Sequence, residues 1–186
     1  MASAADSQRL FFALWPDDAL RHILYKETRH TVRASGGKPV PAENFHITLA
    51  FLGHLDADGA AAVRAAADAT QGEPFDLVLD RPGFWPDACV VWLAPASVPE
   101  TGSRFAAKLR QALRTRGVAV DLRPFLPHVT LARKVSKPGN LGTVRPIRWP
   151  VREFVLVHSL SGRHGSEYRP LVSWPLRAPA AAAAEL

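Results

Sequence analysis

The sequence contains one cysteine, Cys89, and one methionine, its first residue. A lone thiol cannot close an intramolecular disulfide, so the fold must rest on its apolar core. Cys89 falls in the apolar run Ala88-Cys89-Val90-Val91-Trp92-Leu93 and reads as a small buried thiol within a strand. No run approaches the ~18 consecutive apolar residues of a membrane-spanning helix, so no membrane partner is expected. The start, Met1-Ala2-Ser3-Ala4-Ala5-Asp6, lacks the basic residues and apolar stretch of a secretory signal. A cytoplasmic, reducing location is the expectation. Three catalytic signatures are also missing: a Gly-x-Ser-x-Gly elbow, a phosphate-cradling loop ending in Gly-Lys-Ser/Thr, and a His-Glu-x-x-His zinc helix.

What the sequence does hold is ordinary for a globular chain. Of 186 residues, 47% are hydrophobic and 22% charged, with five Trp and nine Phe to fill a core. The net charge of +6 favours anionic partners such as phosphates or RNA. Residues 1–8 read as a flexible start, 9–177 as one bilobal domain, and 178–186 as an Ala-rich tail.

One short pattern occurs twice. His46-Ile47-Thr48-Leu49-Ala50 returns 82 residues later as His128-Val129-Thr130-Leu131-Ala132. Each copy lies in a β-branched apolar run that reads as a strand. Alternate strand residues share a face, so each copy places an imidazole and a hydroxyl side by side, over an apolar face turned to the core. Strands and helices alternate along the chain. Strands are expected at Arg9–Trp15, around each motif, at Phe75–Leu79, Cys89–Leu93, Glu153–His158 and Tyr168–Trp174. Helices are expected from Pro16 to about Arg33, from Asp56 or Asp58 to about Thr70, and from about Pro99 to before Gly117. The last of these has an apolar stripe of Phe105, Leu109, Ala112 and Leu113. Its basic residues Arg104, Lys108, Arg110, Arg114 and Arg116 are expected on a solvated face. Residues 134–145 read as a polar loop. The fold class is α+β, with two pseudo-symmetric lobes around a central cleft.

Two imidazoles on opposite sides of one atom suit general acid–base chemistry, because the unperturbed histidine pKa of ~6.5 lets one ring be neutral and the other protonated. In-line phosphoryl transfer needs such a pair, one for the attacking and one for the leaving oxygen. The hydroxyls of Thr48 and Thr130 can donate to non-bridging phosphate oxygens. Two candidate ligands per motif, one of them a hydroxyl, make a poor metal site, so metal-independent catalysis without a cofactor is expected.

The doubled motif resembles that of the two-histidine phosphoesterase superfamily. Residues 9–16, 44–53, 127–133, 153–159 and 168–171 resemble its RNA 2′,3′-cyclic phosphodiesterases, also called 2′-5′ RNA ligases. The resemblance implies hydrolysis of a terminal 2′,3′-cyclic phosphate on RNA to a 2′-phosphate by a monomeric enzyme. It implies His46 as proton donor, His128 as proton acceptor, and Thr48 and Thr130 as phosphate ligands. Arg133 is a candidate phosphate contact, although strict strand alternation turns it away from the two histidines. Phe11 and Tyr168 are candidate base-stacking residues, with core packing the competing role for Phe11. Other readings of the same site are 2′-5′ ligation, a small cyclic nucleotide as substrate, or a non-catalytic RNA- or nucleotide-binding module.

Overall fold

The computed structural model describes residues 7–121, 123–162 and 165–177. Its elements are β1 (Gln8–Leu14), α1 (Asp18–Ser35), β2 (Lys38–Pro39), β3 (Ile47–Leu55), α2 (Ala57–Asp68), β4 (Phe75–Trp85), β5 (Val90–Pro95), α3 (Glu100–Thr115), β6 (Val129–Arg133), β7 (Ile147–Val151), β8 (Glu153–Gly162) and β9 (Gly165–Pro175). The Ala-rich tail lies outside the described residues, as do Arg163 and His164.

Local chemistry sets the helix ends. Asp17 caps α1, its carboxylate accepting the Leu20 N–H at 2.7 Å, and Gly36 closes the helix at φ 63°, a left-handed conformation that suits glycine. Asp56 caps α2 by accepting the Gly59 N–H at 2.9 Å. On α3, Phe105, Leu109 and Leu113 are buried and form the expected stripe.

The strands form one sheet in the order β7-β4-β5-β6-β3-β1-β8-β9, with β2 paired to β6. Every pairing is antiparallel. Two four-stranded halves, one ending in β3 and the other in β6, are therefore joined where the two motifs meet. Leu10, Phe12 and Leu14 of β1 join Ile47, Leu49, Val129, Leu131 and the helical stripes in the main core. The alternate residues Phe11 and Ala13 pack with Val155 and Val157 on the opposite face. This two-sided burial is why β1 is apolar throughout its centre.

Three features depart from the sequence reading. β4 runs through Pro82-Gly83 to Trp85, where the sequence suggests a break. β4 pairs with β7 only over Phe75–Leu79, so Pro82 has a free edge for its missing N–H. A Cβ on Gly83 would collide with the Trp92 indole. The second departure is Cys89, which is exposed and sits at φ 52° in the turn before β5. It is a turn residue and not a buried thiol in a strand. The third is β2 and β7, neither of which the sequence reading includes. β2 is two residues long, and the Pro150 of β7 obscures its pattern.

Candidate active site

The two motifs lie side by side. Ile47 of β3 is paired with Val129 of β6 in an antiparallel ladder. One step either way along that ladder sets His46 across from Thr130, and Thr48 across from His128. Ile47 and Val129 are fully buried in the core, so the four polar residues share the other face. Residues 82 positions apart in sequence thus form a square with a local two-fold relation.

Each ring is held in the same way. His46 Nδ1–H donates to the Asn44 carbonyl at 2.7 Å, and His128 Nδ1–H donates to the Leu126 carbonyl at 2.8 Å. A carbonyl only accepts, so Nδ1 carries the hydrogen and Nε2 is the nitrogen that titrates. Asn44 and Leu126 each stand two residues before their histidine. That shared offset is the signal by which sequence reasoning could have found them.

The surroundings of the rings differ. His46 is enclosed by Phe11 at 5.0 Å, Tyr168 at 5.1 Å in an edge-on arrangement, and Trp15 stacked at 5.9 Å between ring centroids. Trp15 in turn lies 5.8 Å from the Arg21 guanidinium. His128 meets Trp85 edge-on at 4.5 Å. Burial, which disfavours the charged ring, holds the His46 pKa down at about 4; its carbonyl hydrogen bond opposes this, while the charges of His128 and Arg133 add to it. The His128 pKa is also lowered, by burial first and then by Arg133, against the pull of the Leu126 carbonyl. Both rings are therefore neutral in the free protein near neutral pH.

Arg133 acts on both rings, which strict alternation along β6 does not allow for. The reason is a β-bulge. β6 pairs with β5 through Trp92↔Thr130 and then Val91↔Ala132, leaving Leu131 as the extra residue. The pleat is offset by one at that point, and exposed Arg133 falls back towards the face of His128 and Thr130. β3 has the same device, because Thr48 pairs with Ala13 and Ala50 with Phe12, which leaves Leu49 over. The counterpart of Arg133 in the first motif is Phe51, whose ring is 60% exposed.

The remaining candidates are placed as follows. Phe11 is 4% exposed, a wall beneath His46. Tyr168 is half-buried with its ring 5.1 Å from that of Phe11. Arg110 of α3 does not lie on a solvated face. It is half-buried, with Nε and Nη2 donating to the Leu49 carbonyl, each at 3.2 Å, and Nη1 to the Arg123 carbonyl at 2.6 Å. Besides Asn44 and Leu126, sequence reasoning missed Trp15, Phe51, Trp85 and Arg110. Of these four, Phe51 alone had a signal, the repeat offset from Arg133. Among the described residues, no three of His, Cys, Asp or Glu stand close enough together to ligate one metal ion.

The family model described as the 2′-5′ RNA ligase superfamily matches residues 16–163. The chain belongs to that superfamily. It is 35% identical over 177 residues to the RNA 2′,3′-cyclic phosphodiesterase of Escherichia coli, a match covering 92% of this chain and 98% of the relative. It is 32% identical over 183 residues to the protein of the same name from Thermus thermophilus, covering 91% and 90%. Among solved structures, E. coli LigT complexed with 3′-AMP superposes at a TM-score of 0.83 with 34% identity, covering 92% of this chain and 99% of that one. As a superfamily member, the chain shares with these relatives the antiparallel sheet and helices described above.

Proposed function

We propose that this protein opens the terminal 2′,3′-cyclic phosphate of RNA to a 2′-phosphate by acid–base catalysis without a metal. The observation that carries this reading is the square of His46, Thr130, Thr48 and His128 around the Ile47–Val129 pair. The similarity to proteins named RNA 2′,3′-cyclic phosphodiesterase points to the same reaction. Phosphorus sits between the two Nε2 atoms. His128 takes the proton of the attacking water, and His46 gives a proton to the departing 3′ oxygen. Thr48 and Thr130 donate to the non-bridging oxygens, where each well-aimed donor contributes ~3 kcal/mol to the transition state. The cation of Arg133 offsets the charge of the phosphate.

The low pKa of His46 bears on this mechanism. A ring held at about 4 must take up its proton as the substrate arrives, and an adjacent anionic phosphate favours that uptake. A pair of titrating rings also favours catalysis over simple binding, for which neither proton transfer is needed. The test is an RNA ending in a 2′,3′-cyclic phosphate, incubated with the protein in chelator and resolved by chromatography. A 2′-phosphate product is expected; a 3′-phosphate, or binding without turnover, would overturn the proposal.

A further inference from the structure

Behind each histidine stands an indole, and behind each indole a third group. His128 meets Trp85, whose ring lies 5.1 Å from that of Trp92. His46 stacks on Trp15, and there the third group is the guanidinium of Arg21, placed over the indole at 5.8 Å from its centroid. Trp15 is thus held between an imidazole and a cation.

Arg21 stands in an unfavourable place for a cation. It is the fourth residue of α1, which begins at Asp18, and the helix dipole disfavours positive charge in that first turn. Its side chain is only 16% exposed, and a guanidinium is seldom withdrawn from water unless it is fully paired. The pairing here is incomplete. Nη1 donates to Asp18 at 2.6 Å, but that carboxylate is fully exposed, and ion pairs in water contribute little. Nε is buried without a hydrogen-bond partner among the described residues. What the placement does achieve is a hold on Trp15 at two points. Nη2 donates to the Pro16 carbonyl at 2.9 Å, which fixes the chain immediately after Trp15. The planar guanidinium covers the indole face turned away from His46.

His46 needs a second restraint. Its Nδ1–H bond to the Asn44 carbonyl fixes one edge of the ring. One hydrogen bond leaves a planar ring free to rock about the axis of that bond. The stacked indole, inclined by 19° to the imidazole, sets the plane, so Nε2 keeps its aim. A displacement of about 1 Å at a reacting group can cost ~10²-fold in rate.

We propose that Arg21 is a positioning residue for proton transfer by His46: it clamps Trp15, and Trp15 fixes the plane of the imidazole. The inference rests on the phosphodiesterase reading for the role of His46 as the acid. Arg21 acts through Trp15 and needs no contact with the phosphate. The clamp belongs to the first motif alone, because the group behind Trp85 is another indole. It also requires a planar cation. A lysine keeps the charge and can donate to Asp18 or to Pro16, but it does not cover the indole.

The experiment uses the full chain with Arg21→Ala, Arg21→Lys, Trp15→Ala and the double variant Trp15→Ala/Arg21→Ala. NMR follows the ring signals of His46 and His128, which report the stacked indole through its ring current and need no substrate. The His46 signals of Arg21→Ala and Arg21→Lys should move towards those of Trp15→Ala, while the His128 signals stay. Hydrolysis of adenosine 2′,3′-cyclic phosphate should show kcat lower by about tenfold in both Arg21 variants, with KM changed less than about twofold. The double variant should be no slower than Trp15→Ala, since a group that acts through Trp15 has nothing left to position. His46 signals indifferent to both Arg21 changes, wild-type kcat in Arg21→Lys, or losses that multiply in the double variant would overturn the proposal. Arg21→Lys retains the charge and a donor, so it decides the matter even if Arg21→Ala does not fold. Should the protein leave the cyclic phosphate intact, the phosphodiesterase reading fails, and the NMR signals alone decide whether Arg21 clamps the ring.

Discussion

Acidification of the free enzyme from about pH 8 to about pH 5 should raise kcat/KM for a cyclic-phosphate substrate, because two histidines that share one proton are most abundant between their two ionisations. Burial places the His46 pKa at about 4 and the His128 pKa below its ordinary 6.5. Above the upper ionisation, each pH unit cuts the singly protonated population about tenfold. Bound phosphate draws protons to both rings, so the kcat profile should lie at higher pH than that of kcat/KM. Trp15→Ala supplies the perturbation. The indole stacks on His46 at 5.9 Å, and its loss admits water to a ring whose burial is the largest cause of its low pKa. A rise of one unit corresponds to about 1.4 kcal/mol less penalty on the charged ring. Hydrolysis of adenosine 2′,3′-cyclic phosphate, followed by chromatography at constant ionic strength, gives both profiles. The acid limb of kcat/KM should move up in Trp15→Ala and the alkaline limb should stay. A wild-type profile flat across the neutral range, or both limbs above pH ~7, would refute the reasoning.

Four further outcomes are expected. Thr48→Val and Thr130→Val should each lower kcat by ~10²-fold or more, the cost of one donor aimed at developing charge, as read by steady-state kinetics. Thermal unfolding should show stability falling as pH drops from 6.5 towards 4, since an unfolded chain takes up the proton that folded His46 refuses; the contribution is ~3 kcal/mol, and His46→Gln should flatten that part of the curve. Asp56→Ala should cost ~1 kcal/mol by denaturant titration, through loss of the α2 cap. Leu109→Ala should cost ~2–5 kcal/mol, because Leu109 is fully buried beneath the sheet.

The repeated motif made the centre of this fold legible, because a two-residue period and two matching copies specify both the strands and their polar face. Helix α2 was legible through Asp56, an acidic residue before an apolar stripe whose side chain caps it, and α1 through Pro16, which follows β1 and stands just before the helix, while the Asp17 cap was not read from the sequence. The position of Arg133 was not, since a β-bulge at Leu131 depends on the partner strand and leaves no mark in the pattern. Cys89 was misread because an apolar run names its strand but not the turn that precedes it. Arg110 looked like one more solvated cation on α3. Only the three-dimensional gap between Leu49 and Arg123 explains its burial. The enclosure of His46 by Phe11, Trp15 and Tyr168 joins β1, the segment after it and β9, a proximity that no local signal carries.

The central claim is that His46 and His128 act as one unit on one phosphorus. The most direct measurement is kcat for His46→Ala, His128→Ala and the double variant on the same cyclic-phosphate RNA, with circular dichroism confirming that each remains folded. Each single change should lower kcat by ~10²–10⁴-fold, and the double variant should be scarcely slower than the slower single one, as for groups that act together. Losses that multiply in the double variant, or a single variant that keeps wild-type turnover, would contradict the account.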